Sequence, residues 1–215
     1  MDAITDNIDL ILRGFGMTLA LFFTSAVLSL TLGTLLAAMR VAPVRVLRMG
    51  GTAYVTVFRN TPLLVLLILT NLGLPVLEIR LGFFYNSVLA LGLYTAAFVC
   101  EAVRSGINSV DPGQAEAARS VGMSFGQSLH EIVLPQAFRS VIPPLASVLI
   151  AQAKNTSVAA VFGVAEATYR MRGLLNDRTD EALLIFLSFA LGYILIVFVI
   201  SSTARFFETR LRVAR

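Results

Sequence analysis

Long stretches without a charged side chain dominate the sequence: Gly14 to Met39, Asn60 to Pro75, Leu81 to Cys100 and Ala182 to Ala204. A helix needs about 20 mostly apolar residues to cross the hydrocarbon core of a bilayer. Inside that core only helices or closed barrels satisfy their own backbone groups. Barrel strands alternate apolar and polar residues over about ten positions, and these runs do not alternate. The expected fold is therefore an all-α membrane protein, with residues 1–215 forming a single transmembrane domain. Composition agrees: 14% of the 215 residues are charged, against about a quarter in soluble domains. The first run follows an acidic start (Asp2, Asp6, Asp9) and leads directly to Arg40. A secretory signal has a basic start and an apolar segment of about 7–15 residues, so this run is read as a retained helix.

Five transmembrane helices are expected: Gly14–Met39, Thr52–Leu77, Phe83–Val103, Val141–Val161 and Ala182–Ala204. Pro62 falls inside the second and is expected to break or kink it, because proline lacks an amide donor and crowds the preceding turn. Pro143 and Pro144 are expected to open the fourth, where a missing donor matters least. Basic residues concentrate in cytoplasmic segments beside membrane spans. Arg40, Arg45 and Arg48 follow the first helix, Arg104, Arg119 and Arg139 the third, and Arg205, Arg210, Arg212 and Arg215 the fifth. The other side carries Arg13, Arg80, Arg170, Arg172 and Arg178 together with most of the acids. The expected topology is multi-pass, with the N-terminus outside and the C-terminus in the cytoplasm, leaving Arg59 and Lys154 within spans.

Several function classes are excluded on the same residues. Topology accounts for the net charge of +4 without nucleic acid. One cysteine, Cys100, and one histidine, His130, exclude disulfides and Cys/His metal sites. Cys100, in an apolar run, is read as a packing residue. No G-x-x-x-x-G-K-[ST] phosphate loop and no nucleophile–histidine set is present, so an enzyme is not expected. A channel or a secondary transporter remains compatible with composition.

The longest connection, about residues 104–140, follows the third helix. Asp111-Pro112-Gly113 is a turn and helix-start signal. Gln114 to Val121 is rich in helix formers, and Gly122 is expected to stop it. Ser124 to Leu134 is expected to form a second short helix with Phe125, Leu129, Ile132 and Val133 on a partial apolar face, ended by Pro135. Physical reasoning leaves two roles open: a docking knob for a partner protein, or a helix lying on lipid.

Glu116-Ala117-Ala118, Gly122, Ile132 and Leu134-Pro135 stand at the spacing EAA-x3-G-x9-I-x-LP. This resembles the EAA signature of permease subunits of ATP-binding-cassette (ABC) importers. Arg59-Asn60-Thr61-Pro62-Leu63-Leu64, the run Phe98 to Gln114, and Lys154-Asn155-Thr156-Ser157 resemble segments of the polar amino acid permeases. With Val41 to Leu47 they look most like the glutamate-type branch. The chain departs from that pattern at Leu66, where relatives often carry Gln, and in a short segment between the second and third helices.

The resemblance implies a type I ABC importer transmembrane domain, five helices with a cytoplasmic coupling-helix loop between the third and fourth. It implies that Glu116, Ala117, Gly122, Leu134 and Pro135 couple to a cytoplasmic ABC ATPase dimer. ATP and magnesium would be used by that partner, with no cofactor bound by this chain. The implied assembly also holds a second permease (self or paralogue) and an extracytoplasmic amino-acid-binding protein, in the cytoplasmic membrane of a bacterium. An EAA-type segment is required by neither a channel nor a secondary transporter.

Ionisable residues within spans are costly and mark function by default. Arg59 and Glu101 fall at similar depths and are expected to pair, either neutralising each other or serving the path. Lys154 has no acid at its depth. It must reach the interface, bind carbonyl groups, or face an aqueous path where it attracts a substrate carboxylate. Asn155, Thr156 and Ser157 would hydrogen-bond along the same path or cap a helix break.

Overall fold

The computed structural model describes residues 2–211, so Arg212 and Arg215 of the expected basic tail lie outside the described residues. A short helix, α1 (Asp2–Thr5), precedes α2 (Ile8–Val41), which is about 50 Å long at 1.5 Å per residue. Ala42 turns extended, with ψ 148°, because the residue before Pro43 is driven out of the helical region.

The second span begins earlier than expected and is broken outright. Helix α3 (Arg45–Asn60) is followed by α4 (Leu63–Ile68), a π-helical turn (Leu69–Gly73) and α5 (Leu74–Val76). The two halves meet at 98°. Thr61, ahead of Pro62, is extended (φ −91°, ψ 127°), as a pre-proline residue prefers. The Thr61 hydroxyl donates to the Val57 carbonyl at 2.9 Å and the Asn60 amide donates to Thr56 at 2.7 Å. The Val57 carbonyl also accepts from the Thr61 N–H at 3.1 Å, so the Thr61 hydroxyl adds a second bond at the end of α3.

Helix α6 (Phe83–Asn108) leads to α7 (Pro112–Ser120) and α8 (Phe125–Gln127). A π-helical turn (Ser128–Val133) then passes directly into α9 (Leu134–Asn155) and a 3₁₀ segment (Thr156–Phe162). This corrects two expectations. Pro135 does not end a helix, and Pro143 and Pro144 do not open one; all three lie in a continuous helical run, Phe125–Phe162. Pro135 sits just past the widened π turn, at the start of α9. The Gln136 amide donates to the Ile132 carbonyl at 2.9 Å, and the Ser147 hydroxyl to Pro143 at 3.3 Å. A local π turn is one way a membrane helix absorbs a proline, and the Gln136 and Ser147 bonds are back-bonds of each side chain to its own i−4 carbonyl.

The chain closes with α10 (Ala167–Asp177), a 3₁₀ turn (Thr179–Glu181) and α11 (Ala182–Leu211). Among the described residues four helical runs are long and apolar enough to cross a membrane, and the bent pair α3–α4/α5 makes a fifth. The order of burial is set by small residues on α6, the most enclosed span. A Cβ at Gly33 of α2 would lie 2.5 Å from Val99, and one at Gly92 would collide with Leu28. Close backbone approach through such residues is the usual glue between membrane helices. Helix α11 is peripheral, with Leu183, Phe186, Leu191 and Phe198 exposed where hydrocarbon would meet them. Across the bundle, Gln152 of α9 donates to Ser25 at 2.9 Å and accepts from Ser29 at 3.3 Å on α2.

Candidate functional site

The connection between α6 and α9 is capped at each joint. The Asp111 carboxylate accepts from Gly113 N–H at 2.8 Å, starting α7 with Pro112 at its first position, where a missing donor is harmless. Gly122 has φ +91°, and its N–H bonds the Arg119 carbonyl while Met123 N–H bonds Ala118. That is the Schellman arrangement, which favours glycine. Ser124 and Gln127 then form a reciprocal capping box. Ala118 is buried and anchors α7, whereas Glu116, Ala117, Val121 and Phe125 are exposed. Leu134 and Pro135 are exposed at the foot of α9.

Glu101 of α6 meets three arginines. Arg40 of α2 bonds its Oε1, Arg104 bonds Oε2 at 3.1 Å, and Arg59 of α3 stands 3.6 Å away. The expected Arg59–Glu101 approach is present, but it is not exclusive. Arg40 and Arg104 belong to segments that flank spans in sequence. Arg40 and Arg104 fall within α2 and α6 because both helices extend past the expected span ends, and α3 brings Arg59 to the same carboxylate. The Arg59 guanidinium also lies 5.6 Å from the Phe98 ring centroid, within cation–π range.

Phe98 forms one wall of a cleft of about 280 Å³ between α6 and α9. Tyr94, Thr95, Ser147, Gln152 and Asn155 are among its other lining residues. Lys154 is exposed, lies outside that lining, and pairs with no carboxylate among the described residues. Because α9 starts at Leu134, Lys154 is about 30 Å along it. The buried Thr156 hydroxyl donates to Ala153 at 2.7 Å, and Ser157 donates to Lys154 at 2.7 Å. Both hydroxyls therefore satisfy carbonyls where the α-helix tightens into the 3₁₀ segment.

Sequence reasoning missed Glu166, which is fully buried. It accepts from Tyr193 Oη at 2.7 Å, Tyr169 N–H at 2.9 Å and Thr18 Oγ1 at 3.3 Å. Ala167 N–H in turn donates to Thr18 at 3.1 Å. The cluster ties α10 to α2 and α11. Burial pushes the Glu166 carboxyl above the ordinary carboxylate range, against the pull of the backbone and hydroxyl donors. The one local signal was its place before a helix start, since its side chain caps α10.

Five spans around a central α6, with an exposed helical connection ahead of the fourth span, make a type I importer transmembrane domain. The model of the family described as binding-protein-dependent transport system inner membrane component matches residues 29–213, and the chain belongs to that family. It is 41% identical over 198 residues to the glutamate transport system permease protein of Corynebacterium efficiens, covering 86% of this chain and 87% of that one. It is 36% identical to the probable glutamine ABC transporter permease protein of Bacillus subtilis, covering 96% and 95%. A crystal structure of an amino acid ABC transporter with histidines superposes with a TM-score of 0.88 at 30% identity, covering 96% of each chain. The protein is an inner-membrane permease subunit of an ABC importer.

Proposed function

We propose that this permease forms the translocation path for a polar amino acid, with glutamate the favoured cargo. The observation that carries the reading is the cleft between α6 and α9, lined by Asn155 and adjoining Arg59 through Phe98. Its volume of about 280 Å³ is near the lower end for small-ligand pockets and suits a solute of amino-acid size. Arg59 is 46% exposed and shares one carboxylate with two other arginines. Its planar fork is thus free to take a substrate carboxylate in two-point fashion. The Tyr94 and Phe98 faces suit the ammonium group, and the Asn155 amide can donate or accept. Likeness to a glutamate permease at 41% identity narrows the cargo. Lys154 is the second candidate for a carboxylate, reached from the exposed side of α9.

In this reading the N-terminus is outside and the C-terminus in the cytoplasm, so α7 and α8 project into the cytoplasm. Glu116, Ala117, Gly122, Leu134 and Pro135 then serve an ABC ATPase dimer, which uses ATP and magnesium. A second permease, self or paralogue, completes the path, and an extracytoplasmic amino-acid-binding protein delivers the cargo.

The test is uptake of labelled glutamate and glutamine by the reconstituted transporter, normalised to permease abundance, with ATPase activity in the same preparation. Arg59→Gln is expected to cut uptake at least tenfold while basal ATPase activity persists. Gly122→Val forces a β-branched residue to φ +91°, a conformation such residues avoid. It is expected to leave insertion intact and abolish stimulated ATPase activity. Normal uptake by both variants would sink the reading.

A further inference from the structure

At the end of the bundle where α2 stops and α3 begins, Arg40, Arg45, Arg48 and Arg104 line a cavity of about 670 Å³ with Met49, Thr52 and Ala53. The charge there does not balance. Glu101 is already shared by Arg40, Arg59 and Arg104. Among the described residues no carboxylate pairs with Arg45 or Arg48. Arg48 donates to the Ala42 and Pro43 carbonyls at 2.9 and 2.7 Å, which fixes its place without neutralising it. Arg104 Nε is buried and has no hydrogen-bond partner. Unsatisfied buried donors are uncommon and call for a ligand or a water.

Topological bias accounts for arginines beside a span. It does not account for four of them converging on one cavity from α2, α3 and α6. The apolar side of the same helix narrows the ligand. Val46 is 76% exposed and Met49 60% exposed on the first turns of α3, with Val41 and Val44 exposed just before them. This is the pattern of a helix lying at the membrane interface, with basic and apolar residues on different faces. An inorganic anion would answer the arginines and leave these side chains in water. A molecule with a phosphate head and hydrocarbon tails answers both, and basic pockets between membrane helices take such headgroups.

We infer that this cavity binds the phosphate headgroup of an anionic phospholipid, whose acyl chains lie along Val46 and Met49. The lipid completes the charge balance that Glu101 leaves open. It also holds α3, and with it Arg59, in place beside the cleft.

The experiment is lipid retention by the full-length chain, read by native mass spectrometry after incubation with phosphatidylglycerol, phosphatidylcholine or inorganic phosphate at constant ionic strength. Phosphatidylglycerol is expected to be retained at least tenfold better than phosphatidylcholine. The Arg45→Gln/Arg48→Gln double variant should lose about tenfold of that preference, since each basic residue near an anionic headgroup contributes measurably. Arg45→Lys should keep it, and Arg119→Gln, on exposed α7, should leave it unchanged. Because Arg48 braces the Ala42–Pro43 turn, Arg45→Gln alone serves if the double variant misfolds; Arg45 is exposed and makes no such brace. Equal retention of the two lipids would overturn the proposal. So would indifference to Arg45→Gln, or displacement of the lipid by millimolar inorganic phosphate, which would mark a free-anion site instead.

Discussion

Glu101 and Glu166 are two carboxylates enclosed by membrane helices, and they are held by opposite means. Glu101 is 25% exposed and surrounded by the guanidinium groups of Arg40, Arg59 and Arg104. Glu166 is fully buried, and among the described residues it pairs with no cation; two hydroxyls and backbone N–H groups hold it. A carboxylate outnumbered by cations draws α2, α3 and α6 together at an end that still carries surplus positive charge. A carboxylate among neutral donors has no countercharge, so burial favours its protonated form. The first arrangement can exchange partners with an incoming anion. The second is saturated and suits a joint that holds α10 against α2 and α11.

The sharpest test removes the charge of Glu101. Glu101→Gln leaves three guanidinium groups facing one another, and losing one member of a buried ion pair costs about 3 kcal/mol. The expected outcome is a marked fall in thermal stability and in folded yield from membranes. A stable Glu101→Gln protein would break the comparison, because charge pairing would then not be what holds this end.

Next in size is the ranking within the cluster. Arg40 is 13% exposed and bonded directly to Glu101, while Arg59 is 46% exposed and stands at 3.6 Å. Arg40→Gln is expected to cost about 2 kcal/mol as a largely buried partner, and Arg59→Gln less than about 1 kcal/mol as an exposed one. Unfolding midpoints of the two variants in the same detergent decide it. The reverse ranking would show that Arg59 is the structural partner and not the one available to substrate.

The smallest effect is expected at Glu166 and depends on pH. Its folded pKa is raised, so its contribution to stability is complete below the ordinary carboxylate range and is lost as pH rises through the folded value. Wild-type protein should therefore lose thermal stability as pH rises above the ordinary carboxylate range, relative to Glu166→Gln, whose amide does not titrate. Parallel curves for the two proteins would mean that Glu166 is ionised throughout, and the contrast with Glu101 would dissolve.

How much of this was legible in advance differs by feature. The uncharged runs gave the spans, and Pro62 marked the break, because both depend on residues close together in sequence. The capping residues Asp111 and Gly122 announced α7 for the same reason. Pro135, Pro143 and Pro144 do not mark helix ends, because the rule that proline begins or ends a helix weighs only the local backbone and not the packing of a membrane helix. The helical run continues through all three, with a π turn just ahead of Pro135. Matching depth points to the Arg59–Glu101 approach, but sequence position marks Arg40 and Arg104 only as signals of topology. Glu166 was passed over because its partners Thr18 and Tyr193 stand 148 and 27 positions away, with no local pattern to link them.

By itself the sequence determined that this chain lives in a membrane, where its helices run, and which segment between α6 and α9 stays outside the bundle. Those properties follow from hydropathy and local backbone chemistry, which act over a few turns of helix. Only the tertiary structure decided which charges meet. Helix lengths and crossings, set by close contacts such as Gly33 against Val99, bring distant side chains within a few ångströms, the range at which hydrogen bonds and ion pairs act.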